Sequence, residues 1–177
     1  MHDARSPDPV SDPKAYQDLL VGLVGADDPA EVQSATPQQV RHLVAGAGSD
    51  LDRRPQPAEW SALECVAHMV DSELVASGRY RWILAHDEPD LLSYDQDLWV
   101  DRLHHPPEPV DELLAVFVPL RQGNLALWRR TPVARRERIG MHRERGPESY
   151  RLTFTLMAGH DRFHLEQARR ALAALRA

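Results

Sequence analysis

Apolar positions recur along the chain mostly every three to four residues, the beat of helices that bury one face. Leu19, Leu20, Leu23 and Val24 carry the first stripe, and Ser11-Asp12-Pro13 ahead of it supplies cap residues before an N1 proline. Thr36-Pro37-Gln38-Gln39 reads as a capping box that opens a short second helix through Val40, Leu43 and Val44, with Gly46 and Gly48 ending it. After a loop over 51–59, Ser61 and Glu64 form another capping box. The helix they open is predicted to run to about His86 and is apolar on most sides, as a central helix is. Residues 87–109 hold four prolines and read as a long connection, with one turn of helix near Tyr94–Trp99. Leu113, Leu114, Phe117, Leu120, Leu125 and Trp128 stripe a helix that begins near Val110, and Pro119 should kink it. A loop over 129–147 precedes a last helix from near Pro147 to the C-terminus. No stretch alternates at period two over a useful length, so no strands are expected. Three long helices and one or two shorter ones argue for a four-helix bundle.

Composition narrows the function classes. The 177 residues are 42% hydrophobic and 27% charged, the profile of one globular domain with a real core. No apolar run approaches a membrane span and no secretory leader is evident, so a cytoplasmic protein is expected. The net charge of −6 argues against non-specific nucleic-acid binding. The one basic run, RRTPVARRERIGMHRER at 129–145, lacks aromatic residues and reads as a solvated loop. Cys65 is the only cysteine, which excludes an internal disulfide and a thiolate cage; its helical surroundings suggest a small buried hydrophobe.

The remaining chemistry lies in the histidines. His160 and His164 stand four apart and share the inner stripe of the last helix with Leu156, Met157, Ala168, Ala171 and Leu175. Arg162, Glu166, Arg169 and Arg170 fall on the opposite side. Two imidazoles on a buried face are costly unless their nitrogens are satisfied, by backbone carbonyls, by water or by one divalent ion. A third ligand would favour the ion. His68 is the best candidate, because it interrupts the most apolar helix of the chain, where Glu64, His68 and Asp71 form one polar streak. Glu64 is accounted for by the capping box. Asp71 could orient a ligand imidazole or be a surface carboxylate. Three neutral imidazoles with an open position are a known kind of catalytic metal site. Paired Glu-x-x-His motifs and H-E-x-x-H are both absent from the sequence.

WSALECVAHMVDSE on the second long helix and GPESYRLTFTLMAGHDRFHLEQ on the last, with YDQDLW, LRQGNLALWR and MHRERG between them, resemble the DinB-like (YfiT-like) superfamily over roughly residues 36–172. The resemblance implies an all-α, up-down-down-up four-helix bundle with a short extra N-terminal helix. Residues 1–10 are polar and proline-bearing and are expected as a flexible tail, which leaves a single domain at 11–177. The resemblance implies one divalent ion, zinc or nickel, held by His68, His160 and His164, and a homodimer. It also implies a thiol-dependent S-transferase that joins a bacillithiol- or mycothiol-type low-molecular-weight thiol to a small-molecule electrophile, with no nucleic acid or membrane as partner. A metal-dependent hydrolase and a non-catalytic metal-binding stress-response protein are the alternatives. Arg121 and Asn124, near the inner stripe of the third long helix, are candidates for a substrate or thiol pocket, although an interhelix salt bridge is as good a use for Arg121. His142, in the HRERG stretch, is a candidate for the pocket mouth or a solvated loop residue. Tyr94 and Trp99 are expected to pack the long connection rather than touch substrate.

Overall fold

The computed structural model describes Pro7 and residues 11–177, so most of the expected tail, His2 included, lies outside the described residues. Six helices follow in order: α1 (Pro13–Val24), α2 (Pro29–Ala47), α3 (Ala62–Ala85), α4 (Gln96–Leu103), α5 (Val110–Arg130) and α6 (Tyr150–Ala174). Helices α2, α3, α5 and α6 make the bundle. α6 packs on both α2 and α3, α5 packs on the same two, and α1 lies along the outside of α6.

The predicted caps at α1 and α3 are present. Asp12 accepts from the Ala15 N–H ahead of Pro13. The Ser61 hydroxyl accepts from the Glu64 N–H at 3.1 Å, while the Glu64 carboxylate accepts from the Ser61 N–H at 2.7 Å. α2 departs from expectation. It begins seven residues before Thr36, at Pro29, where Asp28 accepts from the Ala30 N–H, and it passes through Pro37 unbroken. A proline inside a helix withholds the N–H that the carbonyl four residues earlier would accept. Here that carbonyl belongs to Gln33, and it accepts instead from Arg121 on α5 at 3.1 Å. A tertiary contact thus replaces the missing helical bond, which no local sequence rule could foresee. α5 likewise continues through Pro119, and α4 has two turns where one was expected.

Strands are present against expectation. β1 (Asp90–Leu91), β2 (Ile139–His142) and β3 (Gly146–Ser149) form a sheet in that order, with β1 parallel to β2 and β2 antiparallel to β3. Strands of two to four residues are too short to show a period. The sheet is pressed against α3 so closely that a Cβ on Gly140 would stand 3.0 Å from Cγ1 of Ile83 on α3, and 2.8 Å from a methyl of Leu91 on β1. The arginines of the basic run are also put to use between helix ends. Arg138 donates to the Ile83 and His86 carbonyls at the end of α3, Arg135 to Leu84, and Arg136 to Trp128 at the end of α5 while its guanidinium lies over the Trp128 ring. These are the orphan carbonyls every helix leaves at its C-terminus.

The bundle core has two apolar layers, and a third, smaller cluster of Tyr16, Leu20, Leu156 and Phe163 seats α1 on α6. One layer gathers Val40, Trp60, Met69, Phe117, Leu165 and neighbours. The other gathers Tyr80, Ile83, Leu125, Trp128, Tyr150 and Phe154, with Trp128 stacked on Phe154 at 4.1 Å. Each fully buried large side chain contributes about 1.5–3 kcal/mol. Between the layers in sequence order on all four helices stand polar residues: Gln33 and Thr36, Glu73, Arg121 and Asn124, and Asp161.

Candidate metal centre

Ser61 starts α3 so that His68 falls two turns in, facing α6. His68 is 1% exposed, His164 1% and His160 8%. The Nε2 atoms of His68 and His160 are 3.0 Å apart, and one nitrogen from each of the three rings lies within 4.8 Å of the others. A tetrahedral zinc ion with bonds of about 2.0–2.1 Å sets its nitrogen ligands about 3.3 Å apart, so the donor set fits a single ion. Burial, then the neighbouring His164 and His68, holds His160 well below the ordinary histidine pKa. The neutral ring is the form that ligates.

The rings are fixed from behind. Gln167, one turn beyond His164, is 2.8 Å from His164 Nδ1; the ring N–H donates to the amide oxygen and Nε2 is left to coordinate. Trp60, just ahead of the Ser61 cap, stacks on His164 at 5.9 Å and leans on His68 at 5.0 Å. Phe163 closes on His164 edge-on at 5.0 Å. On the open side the flanking groups are hydroxyls. Ser72 Oγ is 3.4 Å from Nε2 of both His68 and His160, and it hydrogen-bonds the Tyr94 hydroxyl at 2.6 Å.

That side opens into a cavity of about 460 Å³ walled by α1, α3, α6, the 93–97 segment and the β2–β3 hairpin, with His68 and His160 at one end. α1 forms its wall through Tyr16, Gln17 and Leu20. It comes this near because α6 has a glycine at the crossing: a Cβ on Gly159 would stand 2.1 Å from the Leu20 carbonyl oxygen. The hairpin brings His142 and Arg145 to the wall, and α3 brings Arg79. Burial, then Arg145 and Arg79, lowers the pKa of His142 to about 4. Arg145 grips the buried Glu148, which also accepts from Gln17 at 2.8 Å; burial opposes the charge of Glu148, but Arg145 outweighs it and keeps its pKa below the ordinary value.

The structure thus brings His68, His160 and His164 together and puts His142 on the cavity wall. Arg121 and Asn124 are elsewhere. Both are fully buried in the polar layer, where Arg121 is paired with Asp161 and, at 2.9 Å, with Glu73, and Asn124 donates to Glu73 at 2.7 Å. Burial disfavours the Arg121 charge, but the two carboxylates outweigh it and raise its pKa. Arg121 therefore takes the interhelix salt-bridge role. Asp71 does not reach the triad; its carboxylate meets His104 at 2.9 Å. Glu64 adds a forked pairing with Arg54 to its capping role. Cys65 is wholly buried and burial raises its thiol pKa, as suits a small hydrophobe. Sequence reasoning missed Tyr94 as a cavity residue, and with it Ser72, Arg79 and Arg145. Ser72 and Arg79 were within reach, since they share the face of α3 that carries His68.

A model of the DinB superfamily matches residues 34–168. Among solved structures, that of YfiT from Bacillus subtilis, called "a probable metal-dependent hydrolase with an unusual four-helix bundle topology", aligns with a TM-score of 0.75 at 18% identity, covering 99% of this chain and 93% of that one. At that identity the likeness carries the fold alone. No curated protein matches the chain. The chain belongs to the DinB superfamily.

Proposed function

We propose that this DinB-superfamily chain is a metal-dependent enzyme, that His68, His160 and His164 hold one zinc or nickel ion, and that it transfers a low-molecular-weight thiol to a small-molecule electrophile. The convergence of three buried imidazole nitrogens at the end of a cavity carries the reading. When bound, such an ion supplies Lewis acidity that lowers the pKa of a coordinated thiol or water.

The chain's own residues favour the thiol. A thiol ionises near pH 8.5, so a small shift gives thiolate at neutral pH, whereas water must shift by about 9 units and gains most from a nearby base. Among the described residues, the Ser72 hydroxyl flanks the ligand nitrogens of His68 and His160 on the cavity side, and the Tyr94 hydroxyl backs it. Burial pushes the Tyr94 pKa up to about 12, so it serves as a hydrogen-bond donor rather than a base. The buried Cys65 is not needed as a nucleophile. Hydrolysis is the second reading, and the description of YfiT favours it.

The same proposal includes the up-down-down-up order. His68 meets His160 while Tyr80 meets Tyr150, so α3 opposes α6; Gln33 meets Phe154 and Thr36 meets Asp161, so α2 runs with α6. It also includes a homodimer and a cytoplasmic location, with neither nucleic acid nor membrane as partner. Among the described residues no helix is long and apolar enough to cross a membrane.

A panel of low-molecular-weight thiols with a chromogenic aryl halide tests the activity. We expect thiol-dependent turnover that chelator abolishes and added zinc or nickel restores. Turnover that proceeds equally without thiol would replace transfer by hydrolysis. No turnover with either nucleophile at full metal occupancy would leave a binding protein.

A further inference from the structure

One cation of the cavity lacks a counter-charge. Arg79 is 9% exposed and lines the cavity. Its Nη2 donates to the Leu92 carbonyl and stands 3.3 Å from His142 Nε2, and its Nε–H is buried with no hydrogen-bond partner. Among the described residues no carboxylate lies within ion-pair distance of it. The other buried arginine also has an unpartnered Nε–H, so the contrast lies in the charge: Arg121 has two carboxylates and Arg79 has none at that distance. The neighbours of Arg79 do not compensate it either. Arg145 is itself a cation and is taken up by Glu148, and His142 is uncharged at neutral pH. Burial, then the nearness of Arg145, lowers the Arg79 pKa, which is the cost of the missing anion. A buried guanidinium is expensive unless something pairs with it.

We propose that Arg79 is the anion-binding residue of this cavity, and that the ligand spanning it carries a carboxylate held by Arg79 at one end and its reacting group at the histidine triad at the other. The inference rests on the enzymatic reading above for the second half only. A carboxylate suits the site better than a phosphate dianion. Arg79 offers one unopposed positive charge, and Asp95, Asp97 and Glu144 line the same cavity, so a second negative charge on the ligand would meet repulsion. Guanidinium and carboxylate also match as a planar fork. The span follows from α3. His68, Ser72 and Arg79 lie on one face of the helix, and eleven residues separate the first from the last, about 16 Å along the axis at 1.5 Å per residue. Helical side chains lean back toward the N-terminus, so the guanidinium reaches toward His68 and the ligand spans less than this axial separation.

The test has two arms. In the metal-free protein labelled with [15N]arginine, butyrate and inorganic phosphate are titrated while the Arg79 Nε–H resonance, identified by its loss in Arg79→Gln, is followed. We expect butyrate to move it saturably and phosphate to move it less. In cobalt-loaded protein, ω-mercaptocarboxylates of increasing chain length are compared with the matching ω-mercaptoalcohols through the sulfur-to-cobalt absorption. At the length that spans the cavity the acid should bind about tenfold tighter or more, the value of one charge-assisted pairing. In Arg79→Gln the two should bind alike, and Arg79→Lys should recover part of the preference. A resonance that stays put throughout the butyrate titration, or an acid preference that survives in Arg79→Gln, overturns the proposal. Failure of cobalt to bind would defeat the enzymatic reading and still leave the first arm to decide the anion site.

Discussion

Two polar clusters lie within the bundle, and they are built from adjacent residues. Ser72 and His160 face the candidate metal centre, while their chain neighbours Glu73 and Asp161 face the sealed network with Arg121. The network is compensated: one guanidinium meets two carboxylates, and Thr36, Gln33 and Asn124 satisfy much of what remains. The centre is different. Three rings face one point, and the adjoining cavity holds Arg79, which among the described residues has no carboxylate within ion-pair distance. Burial of polar groups is thus not by itself a mark of function. What distinguishes the two clusters is whether the chain supplies all of the partners.

The sharpest way to break this comparison is to cut the network. Asp161→Ala leaves Arg121 buried with part of its charge unmatched, and should cost about 3–5 kcal/mol in urea unfolding. A loss below about 1 kcal/mol, the range of an exposed ion pair, would mean that the layer is not structural in this sense. The next effect is at the crossing of α1 and α6. Gly159→Ala puts a methyl where the Leu20 carbonyl stands and should cost about 1–3 kcal/mol as an overpacked core does. Because α1 walls the cavity, the same variant should also raise KM. An unchanged KM would detach α1 from the site.

Acid sharpens the comparison further. His142 has its pKa lowered from 6.5 to about 4. As pH falls, the unfolded chain therefore takes up this proton first, so the stability present at neutral pH is lost progressively between about 6.5 and 4. His160 is shifted in the same direction. A His142→Gln variant, followed by thermal unfolding across that window, should show a shallower fall than wild type; parallel curves would contradict the burial argument. The smallest effect is expected at Cys65, whose thiol is fully buried. Cys65→Ala should cost about 1 kcal/mol and leave thiol-dependent turnover intact, since the reacting sulfur is the substrate's.

Legibility followed the range of the forces involved. The caps at Asp12 and Ser61, the stripe of α5 and the inward face of His160 and His164 are local patterns and could be read directly. His68 could be read because a histidine in so apolar a helix requires a partner. The start of α2 carries the same Asp-Pro signal, at Asp28-Pro29, but Pro37 argues locally against one continuous helix, and the Arg121 donor to the Gln33 carbonyl that makes up for it is distant in sequence. The sheet could not be read, because its strands are too short for alternation. Arg121 and Asn124 were correctly placed on an inner face, but that face looks into the sealed network; Glu73 and Asp161, which make the difference, lie on other helices. Tyr94 reaches Ser72 from a proline-flanked connection that carries no periodic signal at all.

The central claim is that three imidazoles from two helices share one cation. Elemental analysis of untagged protein, wild type beside His68→Ala, His160→Ala and His164→Ala, measures it most directly. The account predicts one divalent ion per chain in wild type and near-complete loss in each variant, while all four unfold alike within about 1–2 kcal/mol once chelated. Wild-type protein that retains only traces of metal after equilibration with zinc or nickel, at a level the three substitutions leave unchanged, would contradict it.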